Sequence, residues 1–386
     1  MNIIFVVASN GIGGAEKRTF KTAIAVSRQN PSWTVLVLSY GDTIKWFRLM
    51  MPFYGEKPPN LIFRSLVFGG YGEKFAKRES ALVKTGILSR ALERYWIMAL
   101  QRLVRKGFDR LHVSYGIKGV HAALSCAQTR KIIVNIEVTS QRYVDKLISE
   151  ISHFKTPHAG MVKFVCVSDS VKKKFVASSP SEVWLNGLSW YPGPGFIDIK
   201  VADKKNINRK QIIVFPHRVS EQKNAPLFAN CVKRLIAQGF DNWHFRFLGT
   251  APAGSKVFRI LQSEIESGVV QFGRVNALEE YVSEASIAVS VISTGTYPSQ
   301  SMFECLSQGC IAVIAPVTEQ DRCFEGEGTF FCEMSQNSIC AALHKLMRSL
   351  EDRAFEKRAR LGAIKTARRL AFESKYLDSV VGNFLR

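Results

Sequence analysis

Short apolar runs alternate with helical stretches along almost the whole chain, and the alternation occurs twice. In the first half NIIFVVA (2–8), TVLVLS (34–39), LIFRSL (61–66), RLHVSY (110–115), KIIVNIEV (131–138), KFVCVS (163–168) and EVWLN (182–186) read as strands separated by helical segments. Continuous apolar runs of this length mark strands covered on both faces, so the pattern predicts a mostly parallel, doubly wound sheet. The pattern stops near Leu188, where Pro192, Gly193, Pro194 and Gly195 precede a charged run ending at Asn208. It resumes with QIIVFP (211–216), WHFRFLG (243–249), VVQFG (269–273), IAVSVIS (287–293), IAVIA (311–315) and TFFC (329–332), interleaved with helices over 224–239, 256–267, 278–285 and 336–350. The expected fold is α/β, with two Rossmann-like β/α/β domains facing a cleft. Residues 1–187 form the first domain, 188–208 a linker and 209–365 the second, with a helix over 366–386 packing back on the first.

Two halves of this size account for all 386 residues. No run of eighteen apolar residues suggests a transmembrane helix. The start, MNIIFVVASNGIGG, reads as a first strand and turn, not a secretory signal. Eight cysteines, at 126, 166, 231, 305, 310, 323, 332 and 340, make no CxxC pair, and several fall in strand patterns. They read as reduced thiols of a cytosolic protein, not as a disulfide framework or zinc site. HExxH, Asp-x-Asp, GxSxG and the P-loop are all absent, Glu325 and Glu327 form a lone ExE, and no metal ligand set is expected. His112, His121 and His217 stand near strand ends and read as structural.

Charge is the outlier. Of the net +21, residues 1–205 carry 31 Lys+Arg against 14 Asp+Glu, a net of +17, which leaves +4 for residues 206–386. A basic first half attracts something anionic. The segment 79–106 concentrates this charge: Leu88, Leu92, Tyr95, Trp96, Ala99 and Leu103 share one helical face, and Lys84, Arg90, Arg94, Arg102 and Arg105 lie opposite with Met98 among them. Two readings stand here, a core helix with a solvated charged face and a basic amphipathic surface that meets anionic lipid. Nucleic acid is excluded as a partner, since no recognisable module or aromatic–basic interleaving is present.

Three loops can carry chemistry. GIGGAE (11–16) leaves the first strand and opens a helix; its glycines serve either a tight turn or close approach of a ligand to the backbone. FPHRVSEQKN (215–224) places Arg218 and Lys223 at the carboxyl end of a strand, where parallel sheets bind ligands. The pair reads either as solvated loop cations or as neutralisers of a diphosphate. STGTYPSQSMFECLSQGCIAVIAP (293–316) is a polar loop feeding a helix capped by Ser299 or Ser301, with Glu304 in its first turns. Free N–H groups and the helix dipole make such a start an anion site.

Taken in order, these stretches resemble GT-B glycosyltransferases of retaining family 4. GGAE (Gly13 to Glu16) is similar to that family's first glycine-rich turn, VCVSDSVKKKF (165–175) to its strand–helix unit, and LNG (185–187) to the P-N-G before its linker. FPHRVSEQKN resembles G-R-L-x-x-x-K-N, and TYPSQSMFECLSQGCIAVIA resembles E-G-F-G-L-x-x-x-E-A-M-A-x-G-x-P-V-I-A. The resemblance implies that Arg218 and Lys223 hold a donor diphosphate and stabilise the leaving nucleotide. It implies that Glu304 accepts hydrogen bonds from ribose, that the Ser301 and Met302 N–H groups support phosphate, and that Arg274 and Val275 contact the base. Gly13 and Gly14 would line the cleft on the acceptor side. Two positions depart from the pattern. Thr296 stands where the family's second Glu touches the transferred sugar. Glu137 stands near the place of a family His, either replacing it at the anomeric centre or by coincidence.

The expected protein is a metal-independent, cofactor-free glycosyltransferase of the cytoplasm, peripheral on the inner face of a membrane. It would move sugar from a nucleotide-diphosphate-sugar to a saccharide or lipid-linked acceptor in polysaccharide or lipopolysaccharide synthesis. The alternative is a non-catalytic nucleotide-sugar or polyanion-binding protein on the same scaffold.

Overall fold

A computed structural model describes residues 1–7, 14–65, 87–108, 110–114, 117–125, 131–136, 162–166, 188–190, 210–249, 254–273, 275, 278–292, 299–316, 319–373 and 376–385, with a few single positions between 147 and 177. Two compact units result: Met1–Ile199 with Ser374–Arg386, and Lys200–Glu373.

The first unit holds a seven-stranded parallel sheet of β1 (Asn2–Val7), β2 (Thr34–Ser39), β3 (Leu61–Ser65), β4 (Arg110–Ser114), β5 (Lys131–Ile136), β6 (Val162–Cys166) and β7 (Leu188–Trp190). Their spatial order is β3-β2-β1-β4-β5-β6-β7. The helices described here are α1 (Gly14–Gln29), α2 (Gly41–Met50), α3 (Ile87–Arg105) and α4 (Ile117–Leu124). Burial explains the continuous strand runs: Ile3 to Val7 and Val35 to Leu38 are at most 2% exposed. Under α1 and α2 sits an aromatic cluster in which Phe20 stacks on Phe47 at 4.6 Å and meets Trp46, Tyr54 and Phe63.

Two features depart from the sequence reading. Helix α2 was not expected; it forms because Ile44, Phe47 and Met50 recur at helical spacing and are buried, although Asp42, Lys45 and Arg48 break up the run. Strand β7 lies inside the stretch read as linker. Leu188, Ser189 and Trp190 pair in register with Phe164, Val165 and Cys166, and the glycines and prolines around them masked three strand-competent residues. The expected strand EVWLN and residues 191–209 lie outside the described residues, as does Lys84.

The second unit has a six-stranded parallel sheet of β8 (Ile212–Phe215), β9 (His244–Phe247), β10 (Val270–Phe272), β11 (Ile287–Ser290), β12 (Ile311–Ile314) and β13 (Thr329–Phe331), ordered β10-β9-β8-β11-β12-β13. Its helices are α5 (Ala225–Ala237), α6 (Lys256–Ile260), α7 (Gln262–Glu266), α8 (Leu278–Val282), α9 (Gln300–Ser307), α10 (Gln336–Ser349) and α11 (Arg353–Glu373). The expected helix over 256–267 is two short helices meeting at Leu261, whose φ of −109° interrupts the first. A core of Phe215, Phe228, Phe245, Phe247 and Val232 fills the space between sheet and helices, and Phe228 stacks on Phe215 at 5.4 Å.

Buried Arg360 fastens α11 to the sheet. It donates to Glu356 Oε1 at 2.6 Å and Ser286 Oγ at 3.0 Å through Nη2, and to the Gly309 carbonyl at 3.3 Å. After α11 the chain returns to the first unit as α12 (Tyr376–Leu385), which packs on α1. Seven cysteines lie among the described residues, all free thiols. No helix among the described residues is long and apolar enough to cross a membrane.

Candidate functional site

All strands of the second sheet run parallel, so their carboxyl ends share one edge. In spatial order that edge carries Gly273 and Val275 after β10, Leu248 and Gly249 after β9, the loop 216–224 after β8, and α9 after β11.

The β8 loop is short and tightly turned. Ser220 to Lys223 coil into a 3-10 turn, with the Ser220 carbonyl accepting from Lys223 N at 3.1 Å and Ala225 N at 3.2 Å. Asn224 then adopts φ 53°, ψ 30°, a left-handed geometry Asn tolerates, before Pro226 opens α5. Arg218 is exposed and Lys223 half-buried. The Lys223 ammonium lies below the ordinary lysine pKa, first because burial strips its water and second because Arg218 adds a like charge. The structure therefore brings these two cations together, and neither makes an ion pair among the described residues. A dianion placed between them would supply the counter-charge that both lack.

His217 anchors the loop from beneath. It is buried, and its Nε2 lies 3.1 Å from Ser290 Oγ at the end of β11. Burial, with the charge of Lys223 second, pushes its pKa down to about 3, so it is neutral at pH 7. The loop is also pressed against Gly249. A Cβ there would sit 2.9 Å from the His217 carbonyl oxygen, 3.1 Å from Val219 N and 3.2 Å from Arg218 Cα. Glycine is thus what lets the Arg218 backbone lie where it does.

Helix α9 is capped by Ser299, whose Oγ accepts from Met302 N at 3.3 Å. That resolves the Ser299 or Ser301 choice in favour of Ser299. It also occupies the Met302 N–H expected to face phosphate. Ser301 is half-exposed in the first turn. Glu304 is 1% exposed, and Gln300 Nε2 lies 3.4 Å from its Oε1. Gln300 Oε1 is buried with no partner among the described residues, a polar group that sequence reasoning did not single out.

At the far end of the edge, a cavity of about 420 Å³ opens between β9, β10 and α8. Val275, an expected base contact, lines it with Arg246, Leu248, Gln271, Gly273 and Tyr281. Arg246 Nε is buried without a partner among the described residues; its Nη1 reaches Glu284 Oε2 at 3.8 Å, and Glu284 pairs with Lys210 at 3.0 Å. The size suits a small ligand, and the lining mixes apolar Leu248 and Val275 with the polar side chains of Arg246, Gln271 and Tyr281, as a heteroaromatic ring requires. Arg246, Gln271 and Tyr281 come from separate elements, and no local motif links them.

Gly14 is the exposed first residue of α1. Gly13, Glu137, Arg274 and Thr296 lie outside the described residues. Among the described residues no cluster of three or more His, Cys, Asp or Glu has metal-site geometry.

Two parallel α/β units, with a cationic loop after the first strand of the second unit and a capped helix after its fourth, define the GT-B glycosyltransferase fold. Residues 210–349 match the family model described as Glycosyl transferases group 1. Solved structures extend the likeness to the whole chain. TarM from S. aureus, crystallised with fondaparinux, alpha-GlcNAc-glycerol and UDP, aligns with TM-score 0.69 at 8% identity over 100% of this chain and 99% of that one. HepE from Anabaena in complex with UDP-glucose gives 0.66 at 12% identity over 99% of each. Pneumococcal O-GlcNAc transferase GtfA with UDP and GlcNAc gives 0.65 at 11% identity over 100% and 98%. Identities this low establish the fold. No curated protein matches the chain.

Proposed function

We propose that the protein is a glycosyltransferase that takes its sugar from a nucleoside-diphosphate-sugar. The observation that carries the reading is the Arg218–Lys223 pair, two cations with no ion pair among the described residues, held together at the carboxyl edge of the sheet. The donor lies along that edge with its base in the cavity lined by Val275, and the family resemblance adds Arg274 as a base contact. Its ribose hydroxyls donate to Glu304, and its diphosphate lies between the two cations and the first turn of α9, where Ser301 supports it and Met302, its N–H taken by the Ser299 cap, does not. As the glycosidic bond breaks, charge grows on the departing diphosphate. Arg218, Lys223 and the helix dipole oppose that charge in place, so no metal is needed for this step. The Lys223 ammonium, destabilised in the free protein, regains a counter-charge when the anion arrives, which favours anionic ligands over neutral sugars.

We place the reaction in the retaining class, with the acceptor at the first unit near Gly13, Gly14 and Glu137. The net +17 of residues 1–205 favours a saccharide or lipid-linked acceptor carrying anionic groups, in cell-surface polysaccharide or lipopolysaccharide assembly at the inner face of a membrane. Thr296 in place of a carboxylate favours a second reading, a nucleotide-sugar binding protein without turnover. Incubating the protein with UDP-, GDP- and ADP-sugars, with and without mixed saccharide acceptors, separates the two. Release of nucleoside diphosphate supports transfer, and binding without release supports the second reading.

A further inference from the structure

Helix α3 divides sharply into two faces. Trp96, Leu100, Leu103 and Val104 are buried, and Trp96 Nε1 donates to Tyr40 Oη at 3.1 Å. Arg94, Met98, Arg102 and Arg105 follow at spacings of four, four and three residues, which sets them in one narrow arc. All four are exposed, and exposed Lys106 extends the stripe past the helix end. None of the four cationic side chains makes a hydrogen bond or ion pair among the described residues. Met98, at 58%, is the most exposed large apolar side chain among the described residues.

A face that only needed solvating gains nothing from a long thioether at its centre. A face that meets phospholipid does, because the apolar side chain enters the headgroup–acyl boundary while the flanking cations meet lipid phosphate. Arginine suits that contact, since its planar fork grips phosphate oxygens in pairs. We propose that the outer face of α3 docks the protein on an anionic phospholipid bilayer, with Arg94, Arg102 and Arg105 on lipid phosphates and Met98 inserted between them. RNA is the competing polyanion, but the side chains described as exposed on this arc are arginine, lysine and methionine, with no aromatic among them to stack on bases. The inference stands apart from sugar transfer, because α3 belongs to the first unit and the nucleotide-binding residues to the second.

The test is sedimentation of the whole protein with vesicles of phosphatidylcholine alone and of phosphatidylcholine mixed with phosphatidylglycerol. Wild type is expected to pellet with the anionic vesicles and not the neutral ones, and to be released as salt rises. Each cation near an anionic surface is worth roughly fivefold in binding, so the triple change Arg94→Gln, Arg102→Gln and Arg105→Gln weakens binding roughly a hundredfold. Met98→Asn weakens it severalfold with the salt dependence intact. All four side chains face solvent, so thermal melts and UDP-induced stabilisation of the variants match wild type. The proposal is overturned if wild type ignores both vesicle types or binds them equally, or if the triple variant sediments like wild type. It is also overturned if an RNA oligonucleotide displaces the protein from anionic vesicles and then loses its own binding in the triple variant.

Discussion

Gly249→Ala probes how the diphosphate loop is held. The added Cβ would lie 2.9 Å from the His217 carbonyl oxygen, against an ordinary contact that begins at 3.4 Å. Relief requires about 0.5 Å of movement, and the obstacle is backbone, which cannot rotate aside as a side chain can. Overpacking of this kind costs about 1–3 kcal/mol, offset by about 0.4–1 kcal/mol from the reduced freedom of the unfolded chain. The net, about 1–2 kcal/mol, lowers Tm of the second unit by roughly 2–8 °C. The displaced segment carries Arg218, and a charge-assisted hydrogen bond is worth about 1.5–3 kcal/mol, so UDP affinity falls roughly tenfold or more as that contact loosens. The assays are a thermal melt and calorimetric titration with UDP. Gly382→Ala is the control: it lies inside α12 with nothing within 4 Å of the new Cβ, so it stabilises by about 0.5–1 kcal/mol. A Gly249→Ala protein with unchanged Tm refutes the packing, and one that melts lower yet binds UDP as wild type does refutes the role given to Arg218.

Other consequences follow from single groups. His217 is depressed to about 3 in the folded protein against 6.5 unfolded. Between those values the unfolded chain binds a proton that the native state refuses, so stability falls as pH drops, by up to about 1.4 kcal/mol per unit. His217→Gln keeps an amide near Ser290 and flattens the acid limb of a stability–pH curve; an unchanged limb contradicts the assignment. Arg360→Met leaves Glu356, Ser286 and the Gly309 carbonyl without their donor, costing about 2–4 kcal/mol and roughly 5–15 °C in a melt. Gln271→Leu changes an exposed cavity wall, so the melt stays within about 1–2 °C while nucleotide affinity drops severalfold. Equal affinity would remove the base from that cavity.

Strands were the most legible part of the chain, because a strand buried on both faces must be apolar throughout, as TVLVLS at 34–39 is. Helix α2 and strand β7 were not: the first is punctuated by charges, and the second is three residues set among glycine and proline. At the site, Arg218, Lys223 and Glu304 stood out because each lies in a local pattern. His217 was read as structural from its place at a strand end, and it is buried against Ser290. Gly249, Gln300 and the cavity group Arg246, Gln271 and Tyr281 did not stand out, since their roles arise from packing between segments distant in sequence. The Ser299 cap was half legible, with the hydrogen bond to Met302 choosing between two serines.

The most direct test of the account is calorimetric titration of UDP, GDP and ADP into wild type and into Arg218→Ala. At least one nucleoside diphosphate should bind wild type, and Arg218→Ala should bind it at least tenfold more weakly while its melt in the absence of nucleotide is unchanged. Absence of binding by all three, or equal binding by the variant, contradicts a diphosphate site at Arg218 and Lys223.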